Sequence, residues 1–303
     1  MSNPRHLLDI DDLTPEELTE VLSIAAADRE RDRDPGTSGP LEDRTLAMIF
    51  EKPSTRTRVS FEAGMTELGG HAIFLGPDDT QLGRGEPLKD TARALSRYVD
   101  VIMARVFDHA DITELAAHAT VPVINGLTDA AHPCQTLADL LTISDEVGPS
   151  DVQAAWVGDG NNVARSFAVG CAMCDIDLTV ATPPGYGIGD DVVARTADYA
   201  GSVRTTNDPH EAVQGADVVY TDVWVSMGQE DERAAKLAAF EGFQVNESLL
   251  AACPDAVVMH CLPAHRGEEA TDAVLESEQS VIWTQAENRL HAQNAVMRFL
   301  LGV

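Results

Sequence analysis

Residues 46–62 constrain the fold of this chain more than any other stretch. Leu46, Ala47, Met48, Ile49 and Phe50 form an uninterrupted apolar run that suits a strand buried on both faces, and Pro53 stops it. Ser54 and Thr55 are N-cap residue types, and Val59, Phe61, Met65 and Leu68 give a partial helical stripe that ends at Gly69-Gly70. The pattern therefore predicts strand, sharp turn and helix, with Ser54, Thr55, Arg56 and Thr57 at the helix N-terminus. Unpaired backbone N–H groups and the positive end of the helix dipole favour an anion there, and the hydroxyls and guanidiniums from Ser54 to Arg58 add side-chain donors. This reads as a phosphate cradle; a capped helix with surface arginines is the plainer alternative.

The same strand-then-helix rhythm continues. Strands are expected at Ala72 to Leu75, Val101 to Arg105 and Val121 to Ile124, with helices over Leu88 to Tyr98 and Asp111 to His118. Before them, Thr14-Pro15-Glu16-Glu17 opens a helix running toward Asp34-Pro35-Gly36. Gln135 to Glu146 reads as a helix bridging into a second alternation. That alternation has strands at Ala154 to Val157, Leu178 to Ala181, Val203 to Thr205, Val218 to Thr221 and Ala256 to His260, and helices over Asn162 to Cys174, Asp191 to Tyr199 and Glu247 to Ala252. The expected fold class is α/β: two domains, each a parallel sheet with helices on both faces. With 303 residues the chain can give each domain its own core. The expected boundaries are 1–147, rejoined by a final helix within 286–303, and 148–285. No internal repeat or low-complexity tract is evident.

Composition removes several function classes. Fifty acids against 21 bases give a net charge of -29, and only Lys52, Lys89 and Lys236 are lysines, which argues against a nucleic-acid partner. The acids are scattered through Asp28 to Asp34, Asp78-Asp79, Asp190-Asp191 and Glu230 to Glu232. A spread of that kind fits a salt-loaded cytoplasm, because in molar salt the Debye length shrinks to roughly 3 Å and self-repulsion is largely removed; a merely acidic mesophilic protein is the alternative. No stretch has the apolar length to span a membrane, and the N-terminus, with Asp9, Asp11 and Asp12, does not read as a signal peptide, so a cytoplasmic location is expected. Five cysteines without paired spacing imply neither a disulfide framework nor a structural metal, and Cys171-x-x-Cys174 reads as small core residues in a helix.

In open parallel sheets the ligand sits beyond the C-terminal ends of the strands. Arg105 follows one expected strand, and His132-Pro133-Cys134-Gln135 lies after another. Gly158-Asp159-Gly160-Asn161-Asn162, Asp222 to Gly228 and Cys261-Leu262-Pro263 follow three more. Each has a dull explanation alone: a helix cap for His132, a surface acid for Asp222, a buried small residue for Cys261. Together they point to a cleft.

With these motifs in order along nearly the whole chain, the sequence resembles the aspartate/ornithine carbamoyltransferase family. Ser54-Thr55-Arg56-Thr57-Arg58, Gln81, Asp90-Thr91-Ala92-Arg93, Arg105, His132-Pro133-x-Gln135, Gly158-Asp159-Gly160-Asn161-Asn162, Asp222-x-Trp224-x-Ser226-Met227-Gly228, His260-Cys261-Leu262-Pro263 and Glu287-Asn288-Arg289 carry the likeness, and the last four point to ornithine as acceptor. The resemblance implies the carbamoyltransferase fold and transfer of a carbamoyl group from carbamoyl phosphate to ornithine, without cofactor or metal. It assigns carbamoyl phosphate to Ser54, Thr55, Arg56, Thr57, Gln81, Arg105, His132, Gln135, Cys261, Leu262 and Arg289, and ornithine to Asn162, Asp222, Ser226 and Met227. Arg56, Arg105, His132, Asp222 and Cys261 are the implied catalytic residues. It also implies that the polar loop Gly76 to Pro87, with Gln81, reaches into a neighbouring subunit, so that the active unit is a trimer or a multiple of trimers. An aspartate-specific relative would need cations where Asp222 supplies an acid, and a nucleotide-binding oxidoreductase would need the third glycine that Gly158-x-Gly160 lacks.

Overall fold

A computed structural model describes residues 4–29, 39–80 and 85–303. The chain divides into two units, Met1–Ala138 with Asn288–Val303, and Asp139–Glu287. In the first unit, strands β1 (Thr45–Phe50), β2 (His71–Leu75), β3 (Val101–Arg105) and β4 (Val123–Leu127) form a parallel sheet in the order β2-β1-β3-β4. The inner strand β3 is buried throughout and β1 everywhere but Thr45, as continuous apolar runs demand, whereas edge strand β2 leaves Ile73 exposed. Helices α1 (Pro15–Arg29), α2 (Thr55–Glu67), α3 (Leu88–Leu95) and α4 (His109–His118) accompany them. Ala47, Ile49, Ile102, Ala104, Ile112, Leu115 and Val123 build one of its cores. The expected helix stop at Asp34-Pro35-Gly36 lies outside the described residues.

β4 begins two residues later than its apolar pattern implies and continues through Asn125 and Gly126. Pro122 has no N–H to give the ladder, though its carbonyl accepts from Ile102 N. Asn125 is fully buried because its amide nitrogen donates to Leu8 O at 2.8 Å, a partner that its polarity alone does not reveal. α4 starts at His109 because the Asp108 carboxylate accepts from Ala110 N.

In the second unit, β5 (Gln153–Val157), β6 (Asp177–Ala181), β7 (Val203–Thr206), β8 (Val218–Thr221) and β9 (Val257–His260) are all parallel, in the order β7-β6-β5-β8-β9. Helix α6 (Asn162–Met173) follows β5 and α7 (Asp190–Thr196) follows β6. The short helices α8 (Pro209–Ala212), α9 (Arg233–Ala239), α10 (Glu247–Leu250) and α11 (Asp272–Leu275) complete the unit; of these, only α10 is prominent in the sequence pattern. α5 (Pro133–Glu146) and α12 (Ile282–Leu301) each contribute residues to both units. Trp156, Phe167 and Tyr220 anchor the second core, with Trp156–Tyr220 and Phe167–Tyr220 ring centroids 4.7 and 5.0 Å apart in edge-on contact.

Strand order decides where a ligand can bind. The chain runs from β1 outward to β2, then crosses to β3 on the other side of β1; it likewise runs from β5 through β6 and β7, then crosses to β8. Each sheet thus has one switch point, between β1 and β3 and between β5 and β8, and the crevice lies beyond the strand C-termini there.

Candidate active site

The first switch point is strongly electropositive. Ser54, extended at φ -159°, caps α2 by accepting from Thr57 N at 3.3 Å, so the helix starts just after β1. Phe50 and Arg105 are partners across β1 and β3, which sets Arg105, only 8 % exposed, at the rim of that crevice. From α12, Arg289 donates to Gln135 Oε1 at 2.7 Å, to Thr57 Oγ1 at 3.2 Å and to Gln293 Oε1 at 3.0 Å, and Gln293 in turn donates to Ser60 Oγ at 2.7 Å. This buried network locks the first turns of α2 and α5 to one guanidinium. Lys52 is 3 % exposed, with Nζ 2.5 Å from Asp129 Oδ1 and 4.3 Å from the Phe107 ring centroid. Burial lowers its pKa, opposed by Asp129, and Arg105 lowers it further. His132, at the start of α5, is held well below the ordinary imidazole range by burial and then by Arg289, Arg105 and Lys52. It is therefore a neutral ring that can donate one hydrogen bond without adding charge.

The second switch point centres on a carboxylate. Asp222, just past β8 and 6 % exposed, accepts from Asn161 Nδ2 at 2.8 Å through Oδ2 and from Cys261 Sγ at 3.0 Å through Oδ1. Asn161 is also the N-cap of α6, its side-chain oxygen accepting from Val163 N and Ala164 N. Gly160 lies where a Cβ would sit 2.4 Å from the Gly187 carbonyl carbon, so a side chain there would push the turn away from the loop against it. Behind the strand ends, Asp139 accepts from Tyr220 Oη at 3.0 Å and from Gln285 Nε2 at 2.7 Å, and Gln285 Oε1 accepts from His260 N at 2.8 Å. Burial and then Asp139 push the Tyr220 hydroxyl far above its usual range, so it stays a donor.

Asp222, His260 and Cys261 place one ligand atom each within 4.8 Å of one another. His260 has little to offer a metal: Nδ1 accepts from Leu262 N at 2.9 Å, which puts the ring proton on Nε2 facing Glu269 Oε1 at 3.1 Å. Among the other cysteines, burial pushes the Cys134 and Cys174 thiols up to about 12 and raises Cys171 and Cys253, which fits packing rather than redox roles.

Two family descriptions account for nearly the whole chain: "Aspartate/ornithine carbamoyltransferase, carbamoyl-P binding domain" matches residues 5–145, and "Aspartate/ornithine carbamoyltransferase, Asp/Orn binding domain" matches residues 150–300. The chain belongs to the aspartate/ornithine carbamoyltransferase family. Within that family it is 60 % identical over 303 residues to the ornithine carbamoyltransferase of Haloquadratum walsbyi, covering 100 % of this chain and 99 % of the relative. It is 53 % identical to that of Archaeoglobus fulgidus, covering 98 % of each. The solved ornithine carbamoyltransferase of Pyrococcus furiosus superposes with a TM-score of 0.94 at 52 % identity, covering 99 % of this chain and 98 % of that one.

Set against the family's motifs, Ser54, Thr57, Gln135 and Arg289 are joined by hydrogen bonds within the first unit, with Arg105 and His132 at the same electropositive end; Arg56 is half-buried and Thr55 exposed on α2. Asp222 and Cys261 are in direct contact in the second unit, where Asn162 opens α6 and Leu262 is half-buried. Ser226 is half-buried and Met227 is 50 % exposed. Gln81 lies outside the described residues. The sequence names Lys52, Asn161 and Lys236 but assigns none of them a role in the site. Lys52 stands two residues before Ser54, and an isolated lysine beside a buried strand was the available signal.

Proposed function

We propose that the protein transfers the carbamoyl group of carbamoyl phosphate to the δ-amine of L-ornithine, giving L-citrulline and phosphate. Carbamoyl phosphate is assigned to Ser54, Thr55, Arg56, Thr57, Gln81, Arg105, His132, Gln135, Cys261, Leu262 and Arg289, and ornithine to Asn162, Asp222, Ser226 and Met227. The corresponding domains are 1–147 with 286–303, and 148–285. The reading rests on the charge contrast between the two switch points, and above all on Asp222. A buried carboxylate suits the α-ammonium of ornithine, whereas the second carboxylate of aspartate would be repelled.

The chemistry follows from these groups. The neutral amine attacks the carbamoyl carbon, an N–C bond forms, and the C–O bond to phosphate breaks with its electron pair leaving on phosphate, which is basic enough to take the proton shed by nitrogen. Charge grows on the carbamoyl oxygen meanwhile, and Arg105, Thr57 and neutral His132 are the donors assigned to it. The phosphate takes the α2 N-terminus and Arg56. Because an alkylamine has a pKa of about 10.4, rate should rise with pH as the free amine becomes available. The acid excess and scarcity of lysine support a salt-rich cytoplasm as the working compartment, and the family resemblance supports a trimeric unit in which Gln81 serves a neighbouring chain.

The test is a citrulline assay on purified protein with carbamoyl phosphate and, in turn, ornithine, aspartate, putrescine and acetylornithine. Turnover with ornithine alone is expected; preferential carbamoylation of aspartate would overturn the assignment of Asp222.

A further inference from the structure

Lys236 is a charged group with no role in the chemistry above, yet it is 3 % exposed. It sits on the seven-residue α9, in a run whose sequence, Ala-Ala-Lys-Leu-Ala-Ala, would ordinarily leave a lysine head in water. Here Nζ donates to Asp159 Oδ2 at 2.6 Å and to Gln229 Oε1 at 2.8 Å, and lies 5.7 Å from the Tyr186 ring centroid. A buried ammonium is tolerated only when acceptors replace its water, and these two come from different segments.

Both segments belong to the proposed acceptor site. Asp159 is in the turn after β5, 6 % exposed, two residues before the Asn161 that holds Asp222. Gln229 closes the turn after β8: its Oε1 also accepts from Ser226 N at 3.3 Å, and its N–H donates to Ser226 O at 3.0 Å. One ammonium therefore joins the turn that fixes Asp222 to the turn that carries Ser226 and Met227. It also bears on a charge problem: burial holds the Asp159 carboxyl above its usual range, Lys236 opposes that rise, and the neighbouring Asp222 and Glu232 add to it.

We propose that Lys236 is a positioning residue for the acceptor amino acid, clamping the 226–229 turn to the 158–161 turn and cancelling the charge of Asp159 so that attraction for a cationic acceptor stays centred on Asp222. The inference rests on the assignment of ornithine to this site. It makes acceptor recognition depend on a side chain that does not touch the acceptor.

Steady-state kinetics on Lys236→Met, Lys236→Arg, Gln229→Ala and the double variant Asp159→Asn/Lys236→Met test it. Losing a hydrogen bond to a charged group should raise the ornithine KM by about tenfold to a hundredfold in Lys236→Met and in the double variant. The carbamoyl phosphate KM should stay within about twofold, since the interaction lost is confined to acceptor binding. Gln229→Ala should shift the same constant in the same direction, and Lys236→Arg should restore most of it. If Lys236→Met does not fold, Gln229→Ala, which leaves the buried ion pair intact, and the double variant, which removes both charges, still decide. Equal rises in both KM values, or an unmoved ornithine KM in Gln229→Ala and the double variant, would overturn the proposal alone. A wild-type protein that makes no citrulline would overturn the acceptor assignment and the proposal with it.

Discussion

Asp222→Asn removes a charge from the second switch point while keeping a shape. In the native site Oδ2 accepts from Asn161 Nδ2 at 2.8 Å and Oδ1 faces Cys261 Sγ at 3.0 Å. An asparagine can keep the first bond with its oxygen and turn its amide toward sulfur, a weak acceptor, so the turn should hold its form. The loss falls on a bound ammonium, which would face an uncharged amide in a site where Asp222 is 6 % exposed. Breaking a buried ion pair costs about 3–5 kcal/mol, and the lower end applies because the amide still offers an oxygen. About 3 kcal/mol is roughly a hundredfold in affinity, so the ornithine KM should rise about a hundredfold with the carbamoyl phosphate KM nearly unchanged. The assay is citrulline formation with each substrate varied at saturation of the other, alongside thermal denaturation to confirm an intact fold. Matched increases in both constants would show that Asp222 is structural and sink the reasoning.

Four further outcomes are expected. Arg105→Ala should lower kcat by about a hundredfold or more, the usual effect of removing a preorganised donor to developing charge; a near-wild-type kcat at saturating substrates would refute that role. Because His132 is neutral when folded and protonates below about 6.5 when unfolded, the unfolded state binds more protons as pH falls, and stability should drop by about 1.4 kcal/mol between pH 7.5 and 5.5 on account of this residue. Denaturant titrations of wild type and His132→Asn at both pH values measure that share, and identical pH dependence would contradict it. Dialysis from molar salt to ~0.1 M lengthens the Debye distance to roughly 10 Å, and sedimentation and activity should report dissociation or unfolding of a chain carrying -29 charges; unaltered behaviour would refute the high-salt reading. Inactive Gln81→Ala and Arg105→Ala variants, mixed under verified subunit exchange, should regain some activity if one chain completes another's site, and none if Gln81 serves its own chain.

The strand-turn-helix unit around Ser54 was legible because every local signal agreed: an apolar run, a proline stop and a capping serine, which the structure places at β1, Pro53 and the α2 N-cap. Residues at strand ends were legible for the same reason, since alternation fixes a parallel sheet and a parallel sheet fixes which end binds. Sequence pattern could not foresee the pairing of buried charges. Lys236 among alanines reads as solvated, Asp159 reads as a turn former, and only folding sets them 2.6 Å apart. Asn125 lies outside the expected strand because the carbonyl that satisfies it, Leu8 O, is 117 positions away. One-turn helices such as α8 and α11 carry too few residues to show a period, and are held by their caps, Asp208 and Thr271.

Asn161 spends its oxygen on the first N–H groups of α6 and its amide on Asp222, so a single side chain serves both the scaffold and the carboxylate proposed to select the acceptor. That sharing constrains descent. A lineage drifting toward a dicarboxylate acceptor would have to replace Asp222, leaving the Asn161 amide without its acceptor, and any repair at position 161 itself would sacrifice a helix cap at about 1 kcal/mol. The first steps away from ornithine would thus be selected against for foldability before any new substrate could reward them, and the acceptor preference of such a chain should be among its slowest traits to change.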